Sequence, residues 1–377
     1  MAPIAYPLPD PDTRRALRDA IVAWFLASRR SFPWREDPSP YRVWVSEIMA
    51  QQTRLDVVLP YFERFVARFP SVQALAEAPL DDVLAHWSGL GYYARARNLH
   101  AGARLVVERH GGVVPRDPRE LLALPGVGEY TAAAIASIAW GVPVPLLDGN
   151  VIRVLSRLFD VEGDVGRAPV RRHLWALSGA LVPPAEPRAL NEGLMELGAL
   201  VCTPSSPGCV TCPVAARCLA LARGTVMERP VKGRAAPPVV VDVVAAFFRR
   251  AGRVLLVQND GAGLFGGLWQ LPQHPPRLER TPEQVPVAVA LAAGLGAPVE
   301  LGGRVGAFEH VLSHRRLRIA VHGATLGGEP QVASPWVAHR WVTAGELTGL
   351  GVASMTRKAL AVAVDQSTPA EAGSVDA

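Results

Sequence analysis

The chain has 377 residues, 49% of them hydrophobic, and carries a formal charge of +5. That length exceeds what one hydrophobic core ordinarily supports, so two or more domains are expected, and the apolar content is ample for their cores. Its cations are mostly arginines, whose forked guanidinium suits phosphate and points to a polyanionic partner, although an arginine-rich genome would give the same bias. No basic-apolar-small leader opens the sequence, and the longest apolar stretch, Thr131 to Leu147, is broken by Gly141, Pro143 and Pro145. A membrane span is thereby disfavoured and a cytosolic protein expected.

In chain order, residues 1–11 and 365–377 read as disordered ends. From residue 12 to 224 apolar residues recur at intervals of three and four, as in Leu17, Ile21, Trp24 and Phe25, and again in Leu194, Leu197 and Leu200, which predicts an all-α domain. Within it, VWVSEIMAQQT sets Glu47 among Val43, Val45 and Ile48 at an apolar helix start. Such surroundings disfavour the charged carboxyl and raise its pKa, unless the side chain simply faces solvent. Next, PRELLALPGVGEYTAAAIASIAWG reads as helix, tight hairpin, helix. Gly126 and Gly128 would allow positive φ angles there and leave the second helix's N–H groups open to a DNA phosphate; packing alone could also explain the two glycines. Asp148 follows in LLDGNVIRV, placed either to cap a helix or to do chemistry.

All four cysteines then fall in one stretch, Cys202, Cys209, Cys212 and Cys218, spaced C-x6-C-x2-C-x5-C. They form one four-ligand site. The first gap is long for paired zinc knuckles and suits an iron-sulfur cluster better, with structural zinc the alternative. Residues 225–239 mix Gly, Pro and charge and read as a linker. Beyond them, VVVDVVAAFFR, GRVLLVQ, RLRIAVHGATL and HRWVT are β-rich and predict a small α+β domain over 240–364.

PWR (33–35), VSEIMAQQT, GLGYYARARNL, LPGVGEYTA, DGNV and the cysteine spacing stand collinear in this chain. Together they resemble the endonuclease III superfamily of helix-hairpin-helix DNA glycosylases, and within it the MutY-type adenine DNA glycosylases, over essentially the whole chain. The resemblance implies a multi-domain protein: an all-α helix-hairpin-helix core with an iron-sulfur cluster loop, followed by a C-terminal α+β Nudix-like domain. It implies one 4Fe-4S cluster on the four cysteines, and a monomeric enzyme of the bacterial cytoplasm, associated with the nucleoid. The partner it implies is double-stranded DNA carrying adenine opposite 8-oxoguanine or guanine. Endonuclease III type lyases carry a lysine where this chain has Tyr130, and they typically lack Glu47. A monofunctional glycosylase is therefore expected, ahead of a lyase acting on oxidised pyrimidines or a noncatalytic iron-sulfur DNA-binding protein.

By the same resemblance, Glu47 protonates the departing adenine and Asp148 stabilises the sugar cation, with Tyr130 alongside and Asn150 ordering the pocket. Gln52 and Tyr92 match groups that enter the duplex when the base is extruded, and Trp34, Arg35 and Glu192 match the adenine pocket. Packing roles for Trp34 and Tyr92 are the plain alternative. Two departures stand out: Ala50 replaces a bulky residue beside QQT, and Ile152 stands where some members have lysine. In the second domain GGLWQLP matches the start of a Nudix helix region, yet no acidic residue lies between Glu283 and Glu300. A pyrophosphatase needs carboxylates for magnesium, so a binding module is expected instead. Its FEHVLSHRRL stretch places Leu312, Ser313 and His314 where the family has a Phe-Ser-His loop facing the base opposite adenine. A hydroxyl can both donate and accept, which suits the altered edge of 8-oxoguanine, though these residues could equally form a polar turn.

Overall fold

The computed structural model describes residues 8–184, 186–233, 237–278 and 285–365. Of the disordered ends expected at 1–11 and 365–377, residues 1–7 and 366–377 lie outside these residues, whereas residue 365 ends a helix, Ser354–Asp365. The chain divides into two compact units, one made of residues 1–73 and 101–235, the other of 74–100 and 236–377.

The first unit is helical. Its chain runs through α1 (Pro11–Ser28), α2 (Pro33–Glu36), α3 (Pro40–Ala50) and α4 (Leu55–Arg68). After α5 (Val72–Glu77), α6 (Leu80–Trp87) and the start of α7 (Ala94–His110), it continues with α8 (Pro118–Leu122), α9 (Glu129–Trp140) and α10 (Gly149–Leu158). Then come α11 (Ala168–Leu181), α12 (Pro187–Leu200) and α13 (Leu219–Arg223). Order begins before residue 12: Asp10 accepts from the Thr13 N–H at 2.9 Å and Pro11 takes the first helical position, both strong helix-start devices. Leu17, Ile21 and Phe25, one turn apart, bury one face of α1. Helix α12 is the centre of the unit and packs against α1, α9 and α10. Gly198 permits the last of these contacts, since a Cβ there would sit 2.6 Å from the Asn150 Cβ. Residues 225–229, expected to open the linker, are tied down instead. A 3-10 turn spans Val226–Glu228, the Arg157 guanidinium donates to the carbonyls of Val226 and Arg229, and Arg229 pairs with Asp160 at 2.8 Å.

The second unit is a mixed sheet with helices on both faces. Strands β1 (Val239–Arg250), β2 (Arg253–Asn259), β3 (Trp269–Gln270), β4 (Gln273–His274), β5 (Val299–Val311), β6 (Arg315–Leu326) and β7 (Trp336–Val342) lie in the order β3-β2-β1-β6-β5. β4 pairs with β1 and β7 with β2. Among the described strand pairs, β1 and β6 run parallel and the others antiparallel. Side chains alternate across the pleat: Val241, Val243, Ala245 and Phe247 join the cluster under α15 (Ser354–Asp365), while Ala246 and Phe248 join Leu291 and Leu295 of α14 (Val287–Leu295). Residues 74–100 belong to this unit. The Tyr93 hydroxyl donates to the Val352 carbonyl at 3.1 Å, and the Gln258 amide to Asp81 at 2.9 Å. Among the described residues, no helix is long and apolar enough to cross a membrane.

Candidate active site

A cavity of about 610 Å³ opens in the helical unit, lined by side chains from α2, α3, α9, α10 and α12. Glu47, Tyr130, Asp148, Asn150, Trp34, Arg35, Gln52 and Glu192 all line it. Pro40 begins α3, so Glu47 stands eight residues in, near the helix end rather than its start, and points into the cavity instead of bulk solvent. Protein surrounds the rest of its side chain. Burial pushes the Glu47 carboxyl up to about 7, against the pull of the Tyr130 hydroxyl; Asp148 and Glu192 add to the rise and Arg35 opposes it. Tyr130 donates to Glu47 Oε2 at 2.8 Å and lies 3.2 Å from the Met195 sulfur.

Asp148 both caps a helix and lines the cavity. Its Oδ1 accepts from the Val151 N–H at 2.7 Å, and Oδ2 from the Asn150 amide at 2.9 Å. Burial raises its pKa while these bonds and Arg153 restrain the rise. The Asn150 carbonyl in turn accepts from Arg153 Nη2 at 2.7 Å, and Arg153 Nε donates to the Cys202 carbonyl at 2.6 Å. One turn along α10, Arg157 reaches the Cys202 sulfur at 3.4 Å and the carbonyls of Thr203 and Pro204 at 2.7 and 3.0 Å.

The cavity is also lined by a wall of ion pairs. The Glu196 carboxylate, 1% exposed, accepts from both guanidinium groups of Arg30 and Arg35. Burial alone would push it up, yet these bonds hold it down at about 2. Arg35 Nε also lies 3.3 Å from Glu192, whose other oxygen meets Arg188 at 2.8 Å. Trp34 stacks on Phe32 with ring centres 4.8 Å apart, so it has a packing role as well as a place in the cavity.

In the hairpin between α8 and α9 only one glycine is conformationally required. Gly126 has φ +75°, whereas Gly128 is extended at φ −96°, ψ 179°, which any residue adopts. No atom would lie within 4 Å of a Cβ on Gly128, so the backbone at the start of α9 is open to an approaching group. Gln52 and Tyr92, the two residues matched to duplex-entering groups, both adopt left-handed backbone, with φ 59° and 49°. Non-glycine residues there carry strain of roughly 1 kcal/mol or more, a feature concentrated at functional sites.

In the second unit, Leu312, Ser313 and His314 form the turn between β5 and β6, closed by the Leu312 N–H to the Arg315 carbonyl at 2.8 Å. Leu312 leans on the sheet core; Ser313 and His314 are exposed. Tyr92 is 48% exposed, and its hydroxyl and that of Ser313 are hydrogen-bonded at 2.8 Å.

The four cysteines line one small cavity together with Arg157. Four thiols around a shared space are a donor set of the kind that holds a metal ion or an iron-sulfur cluster. Within and just beyond the cysteine loop, Arg217 is exposed and Arg223 is paired with Asp160 at 3.0 Å.

Comparison with known proteins agrees with this arrangement. Residues 45–179 match the HhH-GPD superfamily of base excision DNA repair proteins, and residues 243–362 match the NUDIX domain. The human adenine DNA glycosylase is 34% identical over 402 residues, covering 92% of this chain and 74% of the human protein. The chain belongs to the adenine DNA glycosylase family. The Arabidopsis thaliana member is 32% identical over 399 residues, covering 91% of this chain and 63% of its own. A structure described as a thermostable thymine-DNA glycosylase superposes with a TM-score of 0.51 at 29% identity, over 56% of this chain and 98% of that one. An endonuclease III–DNA complex gives 0.50 at 23% identity over 58% and 99%, a likeness of fold. As a member of this family the chain is a DNA glycosylase of base excision repair.

Among the cavity's lining residues that the sequence did not single out are Arg30, Arg153, Met195 and Glu196. A signal for some existed. Glu196 follows Glu192 by four, as Arg157 follows Arg153, which puts each pair on one helix face.

Proposed function

We propose that this protein removes adenine mispaired with 8-oxoguanine or guanine from duplex DNA, acting as a monomer and hydrolysing the N-glycosidic bond without lyase chemistry. The observation that carries this reading is Glu47, a carboxyl poised near pH 7, bonded to Tyr130 in the cavity that Asp148 also lines. Adenine leaves poorly as an anion, so a proton must reach it as the bond to the sugar lengthens. Because Tyr130 occupies Oε2, Oε1 is the oxygen left to present that proton to adenine N7. The C1′–N9 electron pair departs with the base, and the oxocarbenium ion left behind is balanced by the Asp148 carboxylate. Water then adds to C1′ and its proton restores Glu47. No amine occupies the Tyr130 position, which supports a reaction that stops at the abasic site.

Cys202, Cys209, Cys212 and Cys218 would hold one 4Fe-4S cluster, which supplies structural cross-linking of their loop when bound. The exposed Ser313 hydroxyl and the Tyr92 side chain bonded to it would meet the base opposite adenine.

Single-turnover release of adenine from a duplex with adenine opposite 8-oxoguanine, with and without alkali, tests the reading beside a thymine glycol duplex. Breaks that appear only after alkali, and only with adenine, are expected. Alkali-independent cleavage of thymine glycol would overturn it. Sedimentation of the free protein checks the monomer.

A further inference from the structure

The ion-pair wall of the cavity is organised by a carboxylate that takes no part in the proposed chemistry. Glu196 lies one turn beyond Glu192 on α12 and accepts five hydrogen bonds. From Arg30 come the backbone N–H at 3.1 Å, Nε at 2.9 Å and Nη2 at 2.8 Å; from Arg35 come Nη1 at 3.1 Å and Nη2 at 2.9 Å. Arg35 Nη1 also donates to the Arg30 carbonyl at 2.9 Å, and Arg188 Nη2 to the Arg35 carbonyl at 2.8 Å. Both guanidinium groups flank the Phe32 ring, 5.3 Å from its centre on each count, and Phe32 carries the stacked Trp34.

The consequence is a count of free donors. With Nε facing Glu192, Nη1 doubly engaged and Nη2 singly engaged, Arg35 keeps one N–H, on Nη2, without an acceptor among the described residues. A planar guanidinium held on three sides cannot swing, so that donor has a fixed place in the cavity wall. Without Glu196, Arg30 and Arg35 would be two like charges sharing one buried corner, and mutual repulsion would separate them.

We propose that Glu196 is the positioning residue of the adenine pocket: it clamps Arg30 and Arg35 so that their remaining N–H groups and the Glu192 carboxylate meet the acceptor and donor edge of the extruded base. This deepens the adenine reading and rests on it. Glu196 also acts on Glu47 indirectly, through the Arg35 guanidinium it holds. The charged and titratable groups acting on Glu47 are Tyr130 on α9, Asp148 ahead of α10, Glu192 on α12 and Arg35 on α2. Neutralising Glu196 leaves Arg35 less compensated, which disfavours protonated Glu47.

The test is Glu196→Gln in the full chain, measured three ways: saturating single-turnover adenine release against pH, binding of a duplex holding an uncleavable fluorinated adenosine, and binding of an abasic-site duplex. Expected are a loss of about tenfold or more in rate, an alkaline limb moved to lower pH, and loss of the preference for the adenosine duplex over the abasic one. Abasic binding stays unchanged. The double variant Glu196→Gln with Arg30→Gln restores the charge balance and should return the limb toward its original pH while the rate stays low. An unchanged rate, limb and preference would overturn the proposal, as would equal losses of abasic binding and activity, which mark a merely structural role. If the parent releases no adenine from any duplex, the function reading falls, while loss of the adenosine preference in Glu196→Gln still decides the role of Glu196.

Discussion

The excision cavity and the β5–β6 turn differ in how many bonds hold each functional group. In the cavity, Glu47, Asp148, Asn150 and Arg35 each have partners that fix their orientation, and burial shifts the protonation of both carboxyls. In the turn, Ser313 is exposed and its side chain has one partner, the Tyr92 hydroxyl. Chemistry at an extruded base needs charges that cannot relax, because the electrostatic benefit comes from not having to reorganise. Reading a base edge needs groups that can trade one partner for another, at roughly 1 kcal/mol per hydrogen bond. Substitutions should therefore act strongly and in concert in the first region, weakly and separately in the second.

Glu47→Gln should have the largest effect. Adenine release in single turnover falls by about a thousandfold or more, since the amide has no proton to give. The fold should not suffer. A carboxyl whose folded pKa lies above its unfolded value is ionised more readily in the unfolded chain as pH rises from 4.5 through about 7, so it disfavours folding at pH 8. Replacing it should leave thermal stability at pH 8 unchanged or raise it by about 1 kcal/mol. A lower melting temperature at pH 8 would contradict this.

Arg153→Gln follows, with an expected loss of about tenfold to a hundredfold in rate, because Asn150 and the Cys202 carbonyl lose a shared donor. Adenine release and the iron content of the purified protein, measured on the same preparation, should both respond. A loss of neither would detach the cysteine loop from the cavity. The parent enzyme's rate should next decline by about tenfold per pH unit above 7, as Glu47 loses its proton. A flat profile to pH 9 would show that some other group delivers it.

Ser313→Ala should have the smallest effect, a reduction of about fivefold to tenfold in the preference for 8-oxoguanine over guanine opposite adenine. The rate with guanine and the melting temperature should not change. Tyr92→Phe frees the Ser313 hydroxyl while keeping the ring, so its effect on that preference should be smaller still. If either substitution abolished excision altogether, the contrast between the two regions would fail.

What the sequence disclosed follows the same line. Glu47, Tyr130, Asp148 and the cysteines stand in short motifs whose residue types announce their chemistry. Their companions in the ion-pair wall do not. Arg30 and Glu196 are 166 residues apart, and no local pattern marks two such residues as partners. The apolar setting of Glu47 was visible in its neighbours, but its distance from the start of α3 depended on where Pro40 begins the helix. The second glycine of the hairpin carries no left-handed backbone, because the turn is complete at Gly126. In the second unit, β5 escaped notice because VELGGRVGAF is glycine-rich, and the strand is indeed irregular in register at Arg304. That residues 74–100 form part of that unit had no counterpart in the sequence pattern, since the hydrogen bonds of Tyr93 and Asp81 span more than 170 positions.

Arg157 also governs how the cysteine loop acquires its shape. It is 2% exposed and serves five acceptors, on Cys202, Thr203, Pro204, Val226 and Arg229, so one side chain from α10 grips both ends of a segment of more than twenty residues. Closing a loop of that length costs chain entropy that grows only slowly with the number of residues but must be met in full. Here a helix assembled from earlier sequence meets it, before any sulfur–metal bond need form. Four thiols gathered in this way have less freedom left to lose when a ligand joins them.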